Sequence, residues 1–192
     1  MFNGIIKNTG IIVSIQKNKV NCILKIRSSI SFSKKEIGSS VSCSGVCLTI
    51  TKYKNKICTF FVSKETLNIT NFKYLKKGDL LNLEKSLKFG NRISGHFVQG
   101  HIDTTSKVSK INFIGKSCEI NFKLRKNFKK YIVYKGSISI NGVSLTISKV
   151  LKDGFKVSVI PHTLKLTNLF ILKKNDIVNI EFDILAKYIK NL

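Results

Sequence analysis

The feature that most constrains this chain is an internal repeat with a constant offset of 97 residues. The segment GVCLTI at residues 45–50 is answered by GVSLTI at residues 142–147, and the same offset pairs Glu84 with Glu181. A period of this length is too long for a solenoid unit and suits a small domain. The repeat therefore predicts two copies of one domain, and a function that needs both of them.

The copies are predicted to occupy residues 1–95 and 96–183, followed by a tail over residues 184–192. Residues 1–6 match residues 97–102 at an offset of 96, so the second copy contains one inserted residue before the offset of 97 begins. We expect a strand to open each copy. The boundary itself is expected in a polar segment that contains glycine.

Short alternating or β-branched runs dominate both halves, which predicts an all-β fold with a few short helices. Segments of Gly, Asn, Lys and Ser separate the runs, as is typical of antiparallel barrels or sandwiches. Residues 63–67 and their counterpart 161–164 are predicted to be helical, as is the tail. The predicted strands are 10–15, 41–50, 57–62 and 80–83 in the first half and 137–147, 155–160 and 177–182 in the second.

The net charge of +24 suggests nucleic acid as a partner. Only three of the 34 basic residues are arginines, however, and arginine supplies the bidentate contacts that nucleic-acid sites favour. The lysines are spread along the chain beside many Ile and Asn residues, as an AT-rich genome would produce on permissive surfaces. We therefore predict a solvated, lysine-rich surface and no nucleic-acid site.

The five cysteines form no CxxC pair, which fits neither a disulfide framework nor a zinc knuckle and indicates a reducing, cytoplasmic compartment. No apolar run reaches the roughly 18 residues of a membrane span, and residues 1–4 do not begin a signal peptide. No phosphate loop, dinucleotide fingerprint, nucleophile elbow or HExxH motif occurs. We therefore expect no membrane association and no metal or organic cofactor.

The repeated turn places Cys47 and Ser144 just after a glycine at the start of a strand. Thr49 and Thr146 follow two residues later, on the same face of each strand. The functional interpretation is a pair of equivalent groups that line one pocket in each copy. The alternative is an ordinary β-turn before a core strand, and the pattern alone favours that alternative.

Two of the three histidines, His96 and His101, lie between glycines beside the predicted domain junction, where ligand sites are favoured. Their spacing puts them on opposite faces of a strand, so a shared metal site is not predicted. His162 stands where the first copy has Glu65, so the copies differ in charge there. The equivalent glutamates at 84 and 181 are either pocket groups or strand-end charges in solvent.

Five motifs together resemble the riboflavin synthase family, whose alpha chains carry two lumazine-binding repeats. They are MFNGII, GVCLT, GHFVQGHID, NGVSLT and IPHTL, and the resemblance runs from residue 1 to about Tyr188. It implies two similar six-stranded Greek-key β-barrels in tandem, followed by a short C-terminal α-helix. It also implies a homotrimer, in which pockets of neighbouring subunits face each other, and an association with lumazine synthase.

The resemblance implies a dismutation of two molecules of 6,7-dimethyl-8-ribityllumazine, the last step of riboflavin biosynthesis. One molecule donates a four-carbon unit and leaves as 5-amino-6-(D-ribitylamino)uracil, and the other accepts the unit and becomes riboflavin. No cofactor is implied. Because donor and acceptor are the same molecule, a duplicated domain with two related pockets has a physical reason.

Carried over residue by residue, the resemblance implies one substrate pocket in each copy. The first would use Gly4, Ile5, Ile6, Cys47, Leu48, Thr49, Phe61, Val62, Ser63, Lys64, Glu65 and Thr66. The second would use Gly100, His101, Ile102, Lys135, Ser144, Leu145, Thr146, Val159, Ile160, Pro161, His162 and Thr163.

The implied chemistry needs a base for the acidic 7-methyl group of one substrate and a nucleophile or water at C7 of the other. We predict that His101 and Ser40 assist proton transfer and that Cys47 lies near the C7 adduct. Ser144 and Asp183 would serve the second substrate. Holding two flat rings face to face would supply much of the rate enhancement.

Phe2 is expected to form a wall of the site.

Two departures from the family pattern stand out: Asn141 replaces a common Asp at the start of the second pocket, and only nine residues follow Asp183. The competing hypotheses are a lumazine-binding fluorescence protein, which binds one ligand without turnover, and a basic β-barrel that binds RNA. The pocket residues kept in the second copy disfavour the first, and the arginine shortage disfavours the second.

Overall fold

The computed structural model describes residues 1–190, so the last two residues of the predicted tail lie outside the described residues. The strands of the first half are β1 (Asn8–Lys17), β2 (Asn21–Ser28), β3 (Ser40–Cys43), β4 (Val46–Lys54), β5 (Ile57–Ser63) and β6 (Leu80–Lys85). Those of the second half are β7 (Thr104–Ile114), β8 (Ser117–Lys123), β9 (Ser137–Ile140), β10 (Val143–Leu151), β11 (Gly154–Val159) and β12 (Ile177–Phe182).

The helices are short. The α-helices are α1 (Lys64–Ile69), α2 (Pro161–Leu166) and α3 (Ile184–Ile189), and the 3-10 turns are Lys34–Glu36, Asn71–Tyr74, Lys126–Tyr131 and Asn168–Ile171. The predicted N-cap is confirmed, because the Ser63 hydroxyl accepts a hydrogen bond from the backbone N–H of Thr66 at 3.2 Å. None of the helices among residues 1–190 is long and apolar enough to cross a membrane.

Each half closes into a six-stranded antiparallel barrel with the same strand order, β1-β2-β5-β4-β3-β6 and β7-β8-β11-β10-β9-β12. The prediction of two similar barrels in tandem is confirmed. Of the two architectures that the strand pattern allowed, barrel and sandwich, each half forms a barrel. Alternating apolar residues fill each interior, where Phe122 and Phe155 stack at 5.4 Å between ring centroids. The first barrel holds a separate core that includes Leu24 and Phe60.

Two long predicted strands are in fact hairpins. Residues 41–50 form β3 and β4 around a turn at Ser44-Gly45, and residues 137–147 form β9 and β10 around Asn141-Gly142. All four turn residues have positive φ, between 44° and 83°, as tight two-residue hairpins require. A turn of only two residues interrupts the apolar pattern too briefly to be read as a break.

A strand is the first element of each copy, as predicted, but neither strand begins at the matched residues 1–6 and 97–102, because β1 starts at Asn8 and β7 at Thr104. Residues 1–7, here called the N-terminal arm, and residues 97–103, the middle arm, are not part of the barrel strands, and they touch through an isolated bridge between Phe2 and Val98. Gly4 and Gly100 bend the arms at positive φ, which prevents a continuous strand. Each arm then inserts an isoleucine into the core of the other repeat's barrel, Ile6 in the second and Ile102 in the first.

The barrels also meet at their hairpin turns. A Cβ added to Gly45 would lie 2.8 Å from the nitrogen of Gly142, and one added to Gly142 would lie 2.7 Å from the nitrogen of Gly45. Asn141 is buried beside this contact, and its Oδ1 accepts a hydrogen bond from the backbone N–H of Asn179 at 2.9 Å. Its Nδ2 donates to Oδ1 of Asn168 at 3.4 Å, so the side chain bonds within the second repeat, whereas its carbonyl accepts from Nδ2 of Asn82 in the first barrel at 2.8 Å. The place of Asn141 at the start of a pocket stays a prediction.

Candidate functional site

The arms cross between the repeats and end at the two turn motifs. The backbone N–H of Ser144 donates to the carbonyl of Gly4 at 2.8 Å, and the N–H of Cys47 donates to the carbonyl of Gly100 at 2.9 Å. Each arm therefore belongs to the site of the opposite barrel. This corrects the predicted grouping, because Gly4, Ile5 and Ile6 join the Ser144 side while Gly100, His101 and Ile102 join the Cys47 side.

Glycine is required at both crossing points. A Cβ on Gly4 would lie 2.7 Å from the Cβ of Ser144, and one on Gly100 would lie 2.6 Å from the Cβ of Cys47. Both distances are shorter than any tolerated carbon contact, and both residues have positive φ, at 72° and 81°. Each arm glycine thus packs against the small residue after a turn, Gly4 against Ser144 and Gly100 against Cys47.

Equivalent carboxylates hold the arms from the other side. Glu84 accepts hydrogen bonds from the backbone N–H groups of Asn3 and Gly4 at 2.9 and 3.0 Å. Glu181 accepts them from Gln99 and Gly100 at 2.7 and 2.9 Å. These glutamates are therefore structural anchors of the site and not strand-end charges in solvent.

Burial raises the pKa of both carboxyl groups, against the lowering effect of their backbone hydrogen bonds. The pKa of Glu181 rises to about 7. Lys187 lowers it and Asp103 raises it, and these two residues form an ion pair in which Nζ lies 3.1 Å from Oδ1.

A cavity of about 170 Å³ lies where the N-terminal arm meets the second barrel. It brings together predicted residues from three parts of the chain: the arm, the start of β10 and the helix α2. Its walls are Gly4, Ile5, Ile6, Lys7, Val143, Ser144, His162, Thr163, Leu166 and Thr167. Two larger clefts, of about 540 and 500 Å³, lie on the outer side of the same arm and between the 3-10 turns of the two barrels, away from Cys47 and Ser144.

His96 is the main residue of this region that the sequence did not assign to the site. Its Nδ1 lies 2.7 Å from the Ser144 hydroxyl oxygen, and its Nε2 has no hydrogen-bond partner within residues 1–190. Burial lowers the pKa of His96, while the nearby Asp183 carboxylate raises it. Burial thus favours a neutral imidazole that can exchange a proton with Ser144. The sequence signal that pointed to His96 was its position between two glycines beside the domain junction.

The first barrel carries the corresponding groups of the Cys47 side. Cys47 is half-buried at the start of β4, and Thr49 lies opposite Ser40 across the β3–β4 ladder. The middle arm delivers His101 directly after Gly100, whose carbonyl is bonded to Cys47. Of the groups predicted for proton transfer, Ser40 lies on the first barrel, and the exposed His101 lies on the arm that is bonded to that barrel at Cys47.

Several other predicted residues lie at the rims of the two sides. On the first barrel, α1 begins with the exposed Lys64 and Glu65, and Phe61 is 49% exposed on β5. On the second, Lys135 is exposed on the loop before β9, with its ammonium 5.5 Å from the ring centroid of Tyr134. Lys135 does not line the cavity at Ser144.

Other predicted residues are buried behind these surfaces. Those that point into the barrels are Leu48, Val62, Leu145 and Val159. Phe2 is fully buried, and a Cβ on Gly100 would lie 3.0 Å from its ring. Phe2 therefore supports the crossing of the arms and does not form an open wall.

The sequence matches the family described as lumazine binding domain twice, over residues 3–86 and 99–183. The riboflavin synthase of Actinobacillus pleuropneumoniae is 38% identical over 99% of this chain and 88% of its own length. That of Escherichia coli is 40% identical over 95% of this chain and 87% of its own length.

Among solved structures, LumP complexed with riboflavin superimposes with a TM-score of 0.85 at 27% identity, over 95% of this chain and 99% of that chain. LumP complexed with 6,7-dimethyl-8-(1'-D-ribityl) lumazine gives a TM-score of 0.82 at 27% identity, over 94% of this chain and 98% of that chain. Both matched repeats contain a crossing arm and a turn motif. The chain therefore belongs to the riboflavin synthase family of lumazine-binding proteins.

Proposed function

We propose that the protein is a riboflavin synthase. It would convert two molecules of 6,7-dimethyl-8-ribityllumazine into riboflavin and 5-amino-6-(D-ribitylamino)uracil. The observation that carries this proposal is the doubled site, in which an arm glycine meets Cys47 on one barrel and Ser144 on the other. Two equivalent sites suit a reaction whose donor and acceptor are the same molecule.

The size of the cavity at Ser144 supports a site that is shared between subunits. Its volume of about 170 Å³ is well below the roughly 300–1,000 Å³ of enclosed ligand pockets. A surface from another subunit would complete it, as in the homotrimer that the family resemblance implies. The exposed apolar side chains of α3, Leu185, Tyr188 and Ile189, offer a surface for such an assembly.

The two sides differ in the groups that they offer to a substrate. On the Cys47 side, His101 and Ser40 would move the proton of the 7-methyl group, and the Cys47 thiol would lie near C7 of the adduct. On the other side, Ser144 is bonded to a buried histidine that lies near Asp183. These differences would let one pocket favour the donor and the other the acceptor.

The same proposal includes the domain division at 1–95, 96–183 and 184–192, with matched repeats and barrels inside those limits. It includes a cytoplasmic location, because all five cysteines are free thiols. It requires no cofactor. An association with lumazine synthase, which would deliver the substrate, remains part of the proposal through family resemblance.

A second candidate function is storage or display of a bound lumazine without turnover, favoured by the structural similarity to LumP. The second barrel retains Ser144, Thr146, His162 and Thr163, which supports two working pockets instead of one.

The test is riboflavin formation from the lumazine by wild type, by His101→Gln and by a surface control, Lys110→Gln. We expect turnover by wild type and the control, and a loss of about 10²-fold or more for His101→Gln, since general bases contribute 10²–10⁴-fold. Unchanged turnover in His101→Gln would exclude His101 as the base.

A further inference from the structure

Each arm is held at its glycine from two opposite sides. One side is the backbone N–H of the turn residue in the other barrel, and the other is the carboxylate from the last strand of the arm's own barrel. Two neighbouring N–H groups converge on each carboxylate, so both of its oxygens are used. One glutamate therefore fixes the position of each arm relative to the turn residue that it contacts.

We propose that Glu84 and Glu181 are positioning residues, each of which holds the arm of its own repeat where that arm completes the site of the other barrel. Glu181 would set the place of His101, which follows the anchored Gly100. Glu84 would set the place of Ile5, which follows the anchored Gly4 and lines the cavity at Ser144. The effect on catalysis rests on the proposed function, but the effect on the arms does not.

A carboxylate is the group that this geometry requires. Above the pKa of about 7 that burial gives Glu181, the ionised carboxylate offers two acceptor oxygens to the two N–H groups, whereas a glutamine amide offers one oxygen and one NH₂ donor. In Glu→Gln, the NH₂ group would face a backbone N–H and leave it without a partner at the base of the arm. The substitution keeps the shape of the side chain, replaces the second acceptor with a donor and removes the negative charge of the ionised form.

The chain contains its own reporter for the middle arm. Cys47 is half-buried beneath Gly100, whereas the other four cysteines, Cys22, Cys43, Cys58 and Cys118, are buried. A looser middle arm would expose the thiol of Cys47 and leave the core thiols protected. The N-terminal arm contacts Ser144 instead, so Glu84→Gln is the matched control.

The experiment measures the rate of alkylation by N-ethylmaleimide at each cysteine, by mass spectrometry of the full-length protein's peptides. We expect Glu181→Gln to raise the rate at Cys47 on the order of threefold to tenfold, as local opening of one segment does. Glu84→Gln should raise it much less. An unchanged rate at Cys47 in Glu181→Gln, or an equal rise in both variants, would overturn the proposal.

Global loosening is separated from loss of positioning by the core thiols. If Cys43 and Cys58 react as fast as Cys47 in Glu181→Gln, the glutamate only stabilises the fold and the proposal fails. If Glu181→Gln does not yield folded protein, Glu181→Asp shortens the anchor by one methylene and should give the same selective rise at Cys47. A wild-type rate at Cys47 in that variant would equally overturn the proposal.

Turnover provides the second readout. We expect kcat/KM to fall on the order of tenfold or more in both anchor variants, because small displacements of catalytic groups are costly. Glu119→Gln, whose carboxylate pairs with Lys156 at 2.7 Å on the outside of the second barrel, should keep wild-type turnover. If wild type itself forms no riboflavin, the proposed function fails, while alkylation still decides the role of Glu181.

Discussion

The carbonyl of Gly4 accepts a hydrogen bond of 2.8 Å from the backbone N–H of Ser144, 140 residues farther along the chain and in the other barrel. Gly4→Ala would bring a Cβ to 2.7 Å from that of Ser144 and should push the arm away. We expect riboflavin formation to fall by about 10²-fold, the cost of misplacing groups in a site by about 1 Å.

The matched control is Gly78→Ala, because Gly78 also has positive φ, at 95°, but no atom lies within 4 Å of its Cβ position. It should lose only the backbone cost of about 1–2 kcal/mol in unfolding free energy and keep its turnover. Equal loss of turnover in both variants would show that strain, and not arm displacement, is responsible.

A stabilising substitution is predicted at Ser44, the counterpart of Asn141 in the first repeat. Ser44 has φ of 44°, where asparagine is favoured, and Asn71, the counterpart of Asn168, has an Oδ1 that is buried without a partner among residues 1–190. In the second repeat, Nδ2 of Asn141 lies 3.4 Å from the equivalent oxygen of Asn168.

Ser44→Asn should therefore add about 1 kcal/mol to the unfolding free energy. It should raise Tm by roughly 2–4 °C, measured by thermal unfolding. Asn141→Ser is the reverse experiment and should lower Tm. A lower Tm for Ser44→Asn would contradict the equivalence of the two turns.

Stability should depend on pH through Glu181. Its pKa rises from an ordinary 4.5 to about 7 through burial, so the folded protein holds a proton that the unfolded chain releases. The contribution is complete below pH 4.5 and is lost as pH rises through about 7. Relative to Glu181→Gln, the unfolding free energy of wild type should fall by up to about 3 kcal/mol across this pH range.

Urea unfolding at a series of pH values measures this difference. Glu36→Gln is the control, because Lys85 and the backbone N–H of Ser33 lower the pKa of Glu36, so its contribution changes only below the ordinary range. A pH-independent difference between wild type and Glu181→Gln would contradict the shift.

The ion pair between Lys187 and Asp103 should tune the same titration. Lys187→Met removes the cation that lowers the pKa of Glu181. The unfolding free energy of this variant should therefore decline at a higher pH than that of wild type. Lys156→Met, whose partner Glu119 lies elsewhere on the second barrel, should leave that pH unchanged. The measurement is again urea unfolding against pH.

The repeat predicted much of this fold because both copies preserve turn glycines, strand patterns and helix caps. It could not predict the crossing of the arms, since a match between residues 1–6 and 97–102 is the same whether each arm packs on its own barrel or on the other. His96 was noted beside the domain junction but was given no role, because its contact with Ser144 joins residues 48 positions apart. The contact of Asn141 across the barrels could not be predicted, because its carbonyl bonds Asn82, which lies 59 residues away in the other repeat.

The most direct test of the account is the product balance after incubation of the wild-type protein with 6,7-dimethyl-8-ribityllumazine. Chromatography should show one riboflavin and one 5-amino-6-(D-ribitylamino)uracil for every two lumazine molecules consumed. A fluorescent complex with no consumption of lumazine would contradict the account and favour a binding protein.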